Sequence, residues 1–128
     1  MGPVPAGLTV EKEILTTERV VILHFAGDLD AHTSKQALTV MDELANARYT
    51  KFVVDLTKVN YMSSAGASLF INVQGEVQES GGDLILMNPT SAVLYVLKLL
   101  GLLLQFRVVN TREEALAALK APPANSKH

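Results

Sequence analysis

The sequence predicts an α/β domain: a mixed, mainly parallel five-stranded sheet with an antiparallel first strand, packed by about four helices. Three observations predict it. Residues 20–26, 51–56 and 83–87 are short apolar runs of strand length, as expected for strands buried on both faces. Between them lie segments whose apolar residues recur at helical spacing. The two kinds alternate along the chain, which implies parallel strands joined by right-handed crossovers.

Taken in order, Leu8, Val10 and Ile14 sit at even spacing and suit a half-exposed edge strand. The polar stretch 16–19 reads as a turn, so this strand forms a hairpin with the next, at 20–26. Gly27-Asp28-Leu29-Asp30 breaks that second strand. Thr33 and Gln36 have capping-box spacing, followed by Ala37, Leu38, Met41, Leu44 and Ala45 on one helical face. A buried strand at 51–56 follows. Ser64 opens a helix with Leu69, Phe70, Val73 and Val77 on one face, and Gly81-Gly82 ends it as a left-handed cap. Residues 83–87 form a strand, and residues 88–91 start a helix with Val93, Val96, Leu97 and Leu100 inward. Residues 106–109 form the last strand. Thr111 and Glu114 supply a second capping box for a short helix carrying Leu116 and Leu119. The order is β-β-α-β-α-β-α-β-α. The domain spans residues 8–120, with loose tails at 1–7 and 121–128.

The composition narrows the function. The chain has 128 residues, enough for one domain, and 48% of them are hydrophobic, enough for a core. A formal charge of −2 gives no footprint for nucleic acid or an anionic membrane surface. With no cysteine, disulfides, thiol catalysis and cysteine zinc sites are excluded. No signal peptide is visible, and Pro3 and Ala6 fit a myristoylation motif poorly. The apolar stretch 92–104 is broken by Lys98 and is shorter than the ~20 residues of a membrane helix, so no direct membrane insertion is expected.

In open α/β sheets ligands and partners meet the loops at the carboxyl ends of the parallel strands. These loops are 28–32, 57–66, 88–91 and 110–111, so Asp28, Asp30 and Ser64 should be neighbours in space. Ser64 lies at a helix start, where backbone N–H groups are unpaired and the dipole is positive. Ala65 and Gly66 have little side chain, which leaves the turn open to a partner. A phosphate here would add about −1.5 to −2 charges that a helix N-terminus tolerates, while a partner packed on the turn would be displaced. From capping preferences alone, Ser64 reads first as a plain N-cap.

The string from Val54 to Gly66, with Asp55-Leu56 and then Tyr61-Met62-Ser63-Ser64-Ala65-Gly66, resembles the signature of STAS domains, the fold of bacterial anti-sigma factor antagonists. Gly27-Asp28-Leu29-Asp30 is similar to the family's Gly-Glu/Asp-Leu/Ile-Asp loop. Gly81-Gly82 and Leu100-Gly101-Leu102 match further landmarks. The resemblance covers about residues 8–120. It implies partner switching in the cytoplasm. The antagonist binds an anti-sigma factor that is also a serine kinase of the histidine-kinase-like ATPase fold. Phosphorylation of the serine releases it, and a PP2C-type phosphatase resets it. Carried over by position, the phosphoacceptor is Ser64, and Asp28, Asp30, Met62, Ser63, Ser64, Ala65 and Gly66 form the partner-binding surface. Ser63 stands where the family usually has Asp, and its hydroxyl is an alternative acceptor. Leu102, Leu103 and Leu104 replace a segment that is often partly polar; they read either as extra core packing or as a surface for self-association.

Two other classes stand beside this one. A non-phosphorylated STAS subunit of a stressosome-like scaffold or of a lipid-transport ABC complex fits the same resemblance. An enzyme is not expected. There is no Walker glycine loop with its lysine and no Gly-x-Gly-x-x-Gly, and His24 and His32 lack metal-ligand spacing. The pair Asp28 and Asp30 more often caps a loop than holds a cation. No cofactor is expected.

Overall fold

The computed structural model describes residues 7–120; the tails expected at 1–7 and 121–128 lie, Gly7 apart, outside the described residues. The elements are β1 (Leu8–Leu15), β2 (Val20–Leu29), α1 (Ala31–Asn46), β3 (Lys51–Met62), α2 (Ser64–Glu79), β4 (Asp83–Met87), α3 (Ser91–Leu99), a 3-10 turn (Leu103–Gln105), β5 (Arg107–Val109) and α4 (Arg112–Lys120). The sheet order is β1-β2-β3-β4-β5. β1 runs antiparallel to β2, and the other pairs are parallel.

Alternation along β2 divides the core into two layers. Val21, Leu23 and Phe25 join the larger core under α1, α2 and α3. Val20 and Ile22 point the other way and, with Val53, Ile85 and Met87, meet Ala115 and Leu119 of α4. The 48% apolar content is spent on covering both faces, one broadly and one by a single short helix.

The largest departure from the expected boundaries is in β2 and β3. Gly27-Asp28-Leu29 continues β2, and the predicted loop 57–62 continues β3. The register explains why. His24 pairs with Asp55 and Ala26 with Lys58, then Gly27 with Val59 and Asp28 with Tyr61. β3 gains one residue at each shift, a β-bulge. Leu56, Val59 and Met62, three apart rather than two, therefore all turn into the main core. Their spacing hides the strand from a period-two reading.

The first capping box also differs. The N-cap of α1 is Asp30 and its reciprocal partner is Thr33, not Thr33 with Gln36. At α4, Thr111 Oγ1 accepts from Glu114 N–H at 3.1 Å as expected, but the Glu114 carboxylate accepts from Asn110 N–H at 2.8 Å, one residue earlier than a strict box. Leu38 and Leu100 were expected inward and are exposed, while Val96 is half-buried against the core.

Helix ends follow one pattern. Gly82 N–H donates to the Val77 carbonyl at 2.8 Å and Gly81 N–H to the Gln78 carbonyl at 3.0 Å, with Gly81 at φ +86°. This is a Schellman cap, and α3 repeats it around Gly101.

Candidate functional site

The site is built where β2 and β3 end together. Leu29 pairs with Met62, and Ser63 N–H donates to the Leu29 carbonyl at 2.9 Å. The chain leaves β2 into α1 through Asp30, and leaves β3 into α2 through Ser63. Two helix starts therefore lie side by side at the carboxyl edge of the sheet. The 28–30 stretch and the 63–66 turn meet there, as parallel strands require.

The start of α1 is closed by hydrogen bonds. Asp30 Oδ1 accepts from His32 N–H and Thr33 N–H, each at 2.9 Å. Thr33 Oγ1 accepts from Asp30 N–H at 2.9 Å and donates to the Asp28 carbonyl at 2.8 Å. Ser34 Oγ donates to the Asp30 carbonyl at 2.6 Å. The bonds from Thr33 and His32 hold the Asp30 carboxyl below its ordinary range. One carboxylate oxygen of Asp30 is thus committed to a cap. Asp28 is half-exposed beside it.

The start of α2 is different. Its N-cap residue, Ser63, makes no side-chain cap. Ser63 Oγ is buried with no hydrogen-bond partner. Ser64, the first helical residue, is exposed, and Ala65 is half-buried. Met62 and Gly66 are buried. Two residues of the expected surface therefore lie beneath it. A Cβ on Gly66 would stand 2.8 Å from Leu29 Cγ and 2.9 Å from Met62 Cγ. The glycine lets α2 seat closely on the two strand ends; it does not open the turn to a partner. The groups that a partner can touch are Ser64, Ala65, Asp28, the free side of Asp30, and Tyr61, which is 51% exposed.

Sequence reasoning left Tyr61 out of the partner-binding surface and made Thr33 the N-cap rather than the partner of Asp30. Tyr61 belongs to the quoted signature, and its cross-strand pairing with Asp28 needed the bulged register. The signal for Thr33 was present as the Asp30-x-x-Thr33 spacing. Of the leucine run, Leu102 and Leu103 pack against the main core and Leu104 is 94% exposed.

Among the described residues, no group of three or more His, Cys, Asp or Glu could hold a metal ion. No described helix is long and apolar enough to cross a membrane.

The family model described as STAS domain matches residues 11–115. The chain belongs to the STAS domain family. The bulged β3, the adjacent helix starts and the serine turn all lie within the stretch of this STAS domain that the family model matches. A protein of Bordetella bronchiseptica, provisionally named anti-sigma factor antagonist BtrV, is 36% identical over 70 residues, covering 55% of this chain and 60% of that protein. The chain thus spans less than two-thirds of that relative. An anti-sigma F factor antagonist of Paenibacillus polymyxa is 26% identical over 102 residues, covering 79% of this chain and 87% of that protein. Among solved structures, SpoIIAA in its unphosphorylated form superposes with a TM-score of 0.75 at 24% identity, covering 88% of this chain and 96% of that one. The phosphorylated form of the Bacillus protein superposes with a TM-score of 0.67 at 23% identity, covering 86% and 98%. These structures share the mixed five-stranded STAS fold.

Proposed function

We propose that this STAS domain is a cytoplasmic anti-sigma factor antagonist: a binding module, not an enzyme, that sequesters an anti-sigma factor and is switched off by phosphorylation at Ser64. The partner is a serine kinase of the histidine-kinase-like ATPase fold, and a PP2C-type phosphatase resets the switch. The observation that carries this reading is the contrast between the two candidate acceptors. Ser64 is exposed at the first position of α2, while the Ser63 hydroxyl is buried. A kinase reaches the first and not the second.

The physical consequence of a phosphate differs for fold and for partner. Helix geometry leaves the first N–H groups of α2 without intrahelical acceptors, so the added charge meets a favourable dipole. Serine at position 63 adds no carboxylate beside it. A partner packed on the same turn meets a new dianion that must be desolvated or repelled, at a cost of several kcal/mol. Each ~1.4 kcal/mol is tenfold in affinity. Self-association is not needed: of the three leucines, Leu104 alone is left free of the core.

The test is intact-mass analysis after incubation with the kinase-like anti-sigma factor and ATP, paired with a binding measurement. Wild type and Ser63→Ala are expected to gain one phosphate and Ser64→Ala none. Ser64→Ala should keep binding, and Ser64→Asp should bind at least about tenfold more weakly. Phosphate on Ser64→Ala, or equal binding by Ser64→Asp, would overturn the reading.

A further inference from the structure

The second face of the sheet carries a line of charged groups that the Ser64 edge does not use. α4 covers this face over Val20, Ile22, Val53, Ile85 and Met87, with Leu15 and Val109 packed beside them. Beyond that cover, the next residues on the same side of β2 and β3 are His24 and Asp55, paired in register. His24 Nδ1 lies 2.7 Å from Asp55 Oδ2, and His24 Nε2 lies 2.8 Å from Glu13 Oε1. Glu13 also accepts two bonds from Arg112, from Nη1 at 2.8 Å and from Nη2 at 2.9 Å. Arg112 is the first residue of α4. On the other side, Asp55 Oδ1 accepts from Thr57 Oγ1 at 2.6 Å, and Asn88 Nδ2 donates to Thr57 Oγ1 at 3.0 Å. The chain of contacts runs from α4 across β1, β2 and β3 to the loop after β4.

The hydrogen-bond count at His24 is decisive. Both ring nitrogens face a carboxylate oxygen, and a carboxylate only accepts. A neutral imidazole has one N–H, so it would satisfy one neighbour and turn a lone pair on the other. The imidazolium satisfies both. With the proton in place, His24 and Arg112 balance Glu13 and Asp55. We propose that protonated His24 is a clasp that fastens α4 and β1 to the bulged part of β3, and that loss of its proton opens the clasp. The other charged groups around His24 are Glu11 of β1 and Lys58 of β3, which line an open cleft of about 340 Å³ with it. That cleft gives solvent protons access to the ring.

The shifts agree in direction. Burial pulls His24 down, but the bonds to Glu13 and Asp55 outweigh it, and the net displacement is upward from 6.5. The Arg112 and His24 bonds bring Glu13 down to about 2. Burial raises Asp55, and the Thr57 and His24 bonds outweigh it, leaving it below 3.8. A raised histidine contributes stability that is complete below its unfolded value of 6.5 and is lost as pH rises through the folded value. The lowered carboxylates contribute above their unfolded values, 4.5 and 3.8, and lose that contribution as pH falls. The clasp's contribution is therefore complete between 4.5 and 6.5; it is lost on the alkaline side as the His24 proton leaves and on the acid side as the two carboxylates are protonated.

The bulged stretch that follows Asp55 ends at Met62, next to Ser63. The inference stands apart from the Ser64 reading, because its test detects a ring proton and not a phosphate. Nitrogen-15 NMR of the full chain, with His24→Gln to assign the signal, should show both His24 ring nitrogens protonated at about pH 6. Raising the pH should remove one proton. Amide exchange at Thr57 and in the first turn of α4 should then rise by about tenfold beyond the intrinsic trend for each unit by which folding raises the His24 value. His24→Gln should lack that extra rise. A single ring N–H at about pH 6, or the same extra rise in His24→Gln, would overturn the clasp. Should His24→Gln fail to fold, the wild-type ring-nitrogen signals decide the matter alone.

Discussion

Two helix starts stand side by side at the carboxyl edge of the sheet, and they are held by opposite means. α1 is fastened by polar groups: Asp30, Thr33 and Ser34 close its N-terminus with a set of hydrogen bonds. α2 is fastened by packing: Gly66 seats on Leu29 and Met62, and no side chain of its N-cap residue is engaged. Cap bonds occupy backbone N–H groups, whereas packing from below leaves them available from above. The difference explains how one edge can be both rigid and receptive. α1 supplies a fixed wall, and α2 presents Ser64 on a turn whose stability does not depend on its own polar groups.

The packing half of that contrast predicts the largest effect. In Gly66→Ala the new Cβ meets Leu29 and Met62, which are 0% and 1% exposed, so these buried side chains must shift within the core. Overpacking of this kind costs typically 1–3 kcal/mol, and about 3 kcal/mol is expected here. Urea unfolding should show a lower midpoint at unchanged slope. An unaltered midpoint would mean that α2 is not seated on the strand ends as described.

The polar half predicts a smaller loss. Thr33 is 2% exposed, and its hydroxyl both accepts from Asp30 N–H and donates to the Asp28 carbonyl. Thr33→Val keeps the shape and removes both bonds, leaving a donor and an acceptor without partners. The expected cost is about 2 kcal/mol, within the range for unsatisfied buried groups. The same denaturation measurement applies, and a loss below that of an exposed threonine would remove the polar account of α1.

The contrast also shows what could be seen in the sequence. The sheet, its antiparallel first strand and all four helices were legible because apolar runs and helical spacing are local signals. The serine turn was legible because its residues match a family string. The extensions of β2 and β3 were not. Leu56, Val59 and Met62 face one core only because two bulges shift the register against Ala26 and Asp28, and a bulge is a property of a strand pair. The burial of Met62 and Gly66 was hidden for the same reason, since it depends on Leu29 arriving from another strand. The clasp was hidden too. Glu13, His24, Asp55 and Arg112 are far apart in sequence, and no motif joins them; the register of three strands and the start of α4 bring them together.

The smallest predicted effect is the sharpest test of the comparison, because its sign runs against habit. Replacing an N-cap serine by alanine usually costs about 1 kcal/mol, because a cap bond is lost. At Ser63 no cap bond exists, and the hydroxyl is buried without a partner. A buried hydroxyl without a partner is a desolvation cost that the folded state bears, and Ser63→Ala removes it. The expected outcome is a gain of about 0.5–1 kcal/mol in urea unfolding. A loss of about 1 kcal/mol would show that Ser63 caps α2 after all. The two helix starts would then be fastened alike, and the openness assigned to the Ser64 turn would lose its structural basis.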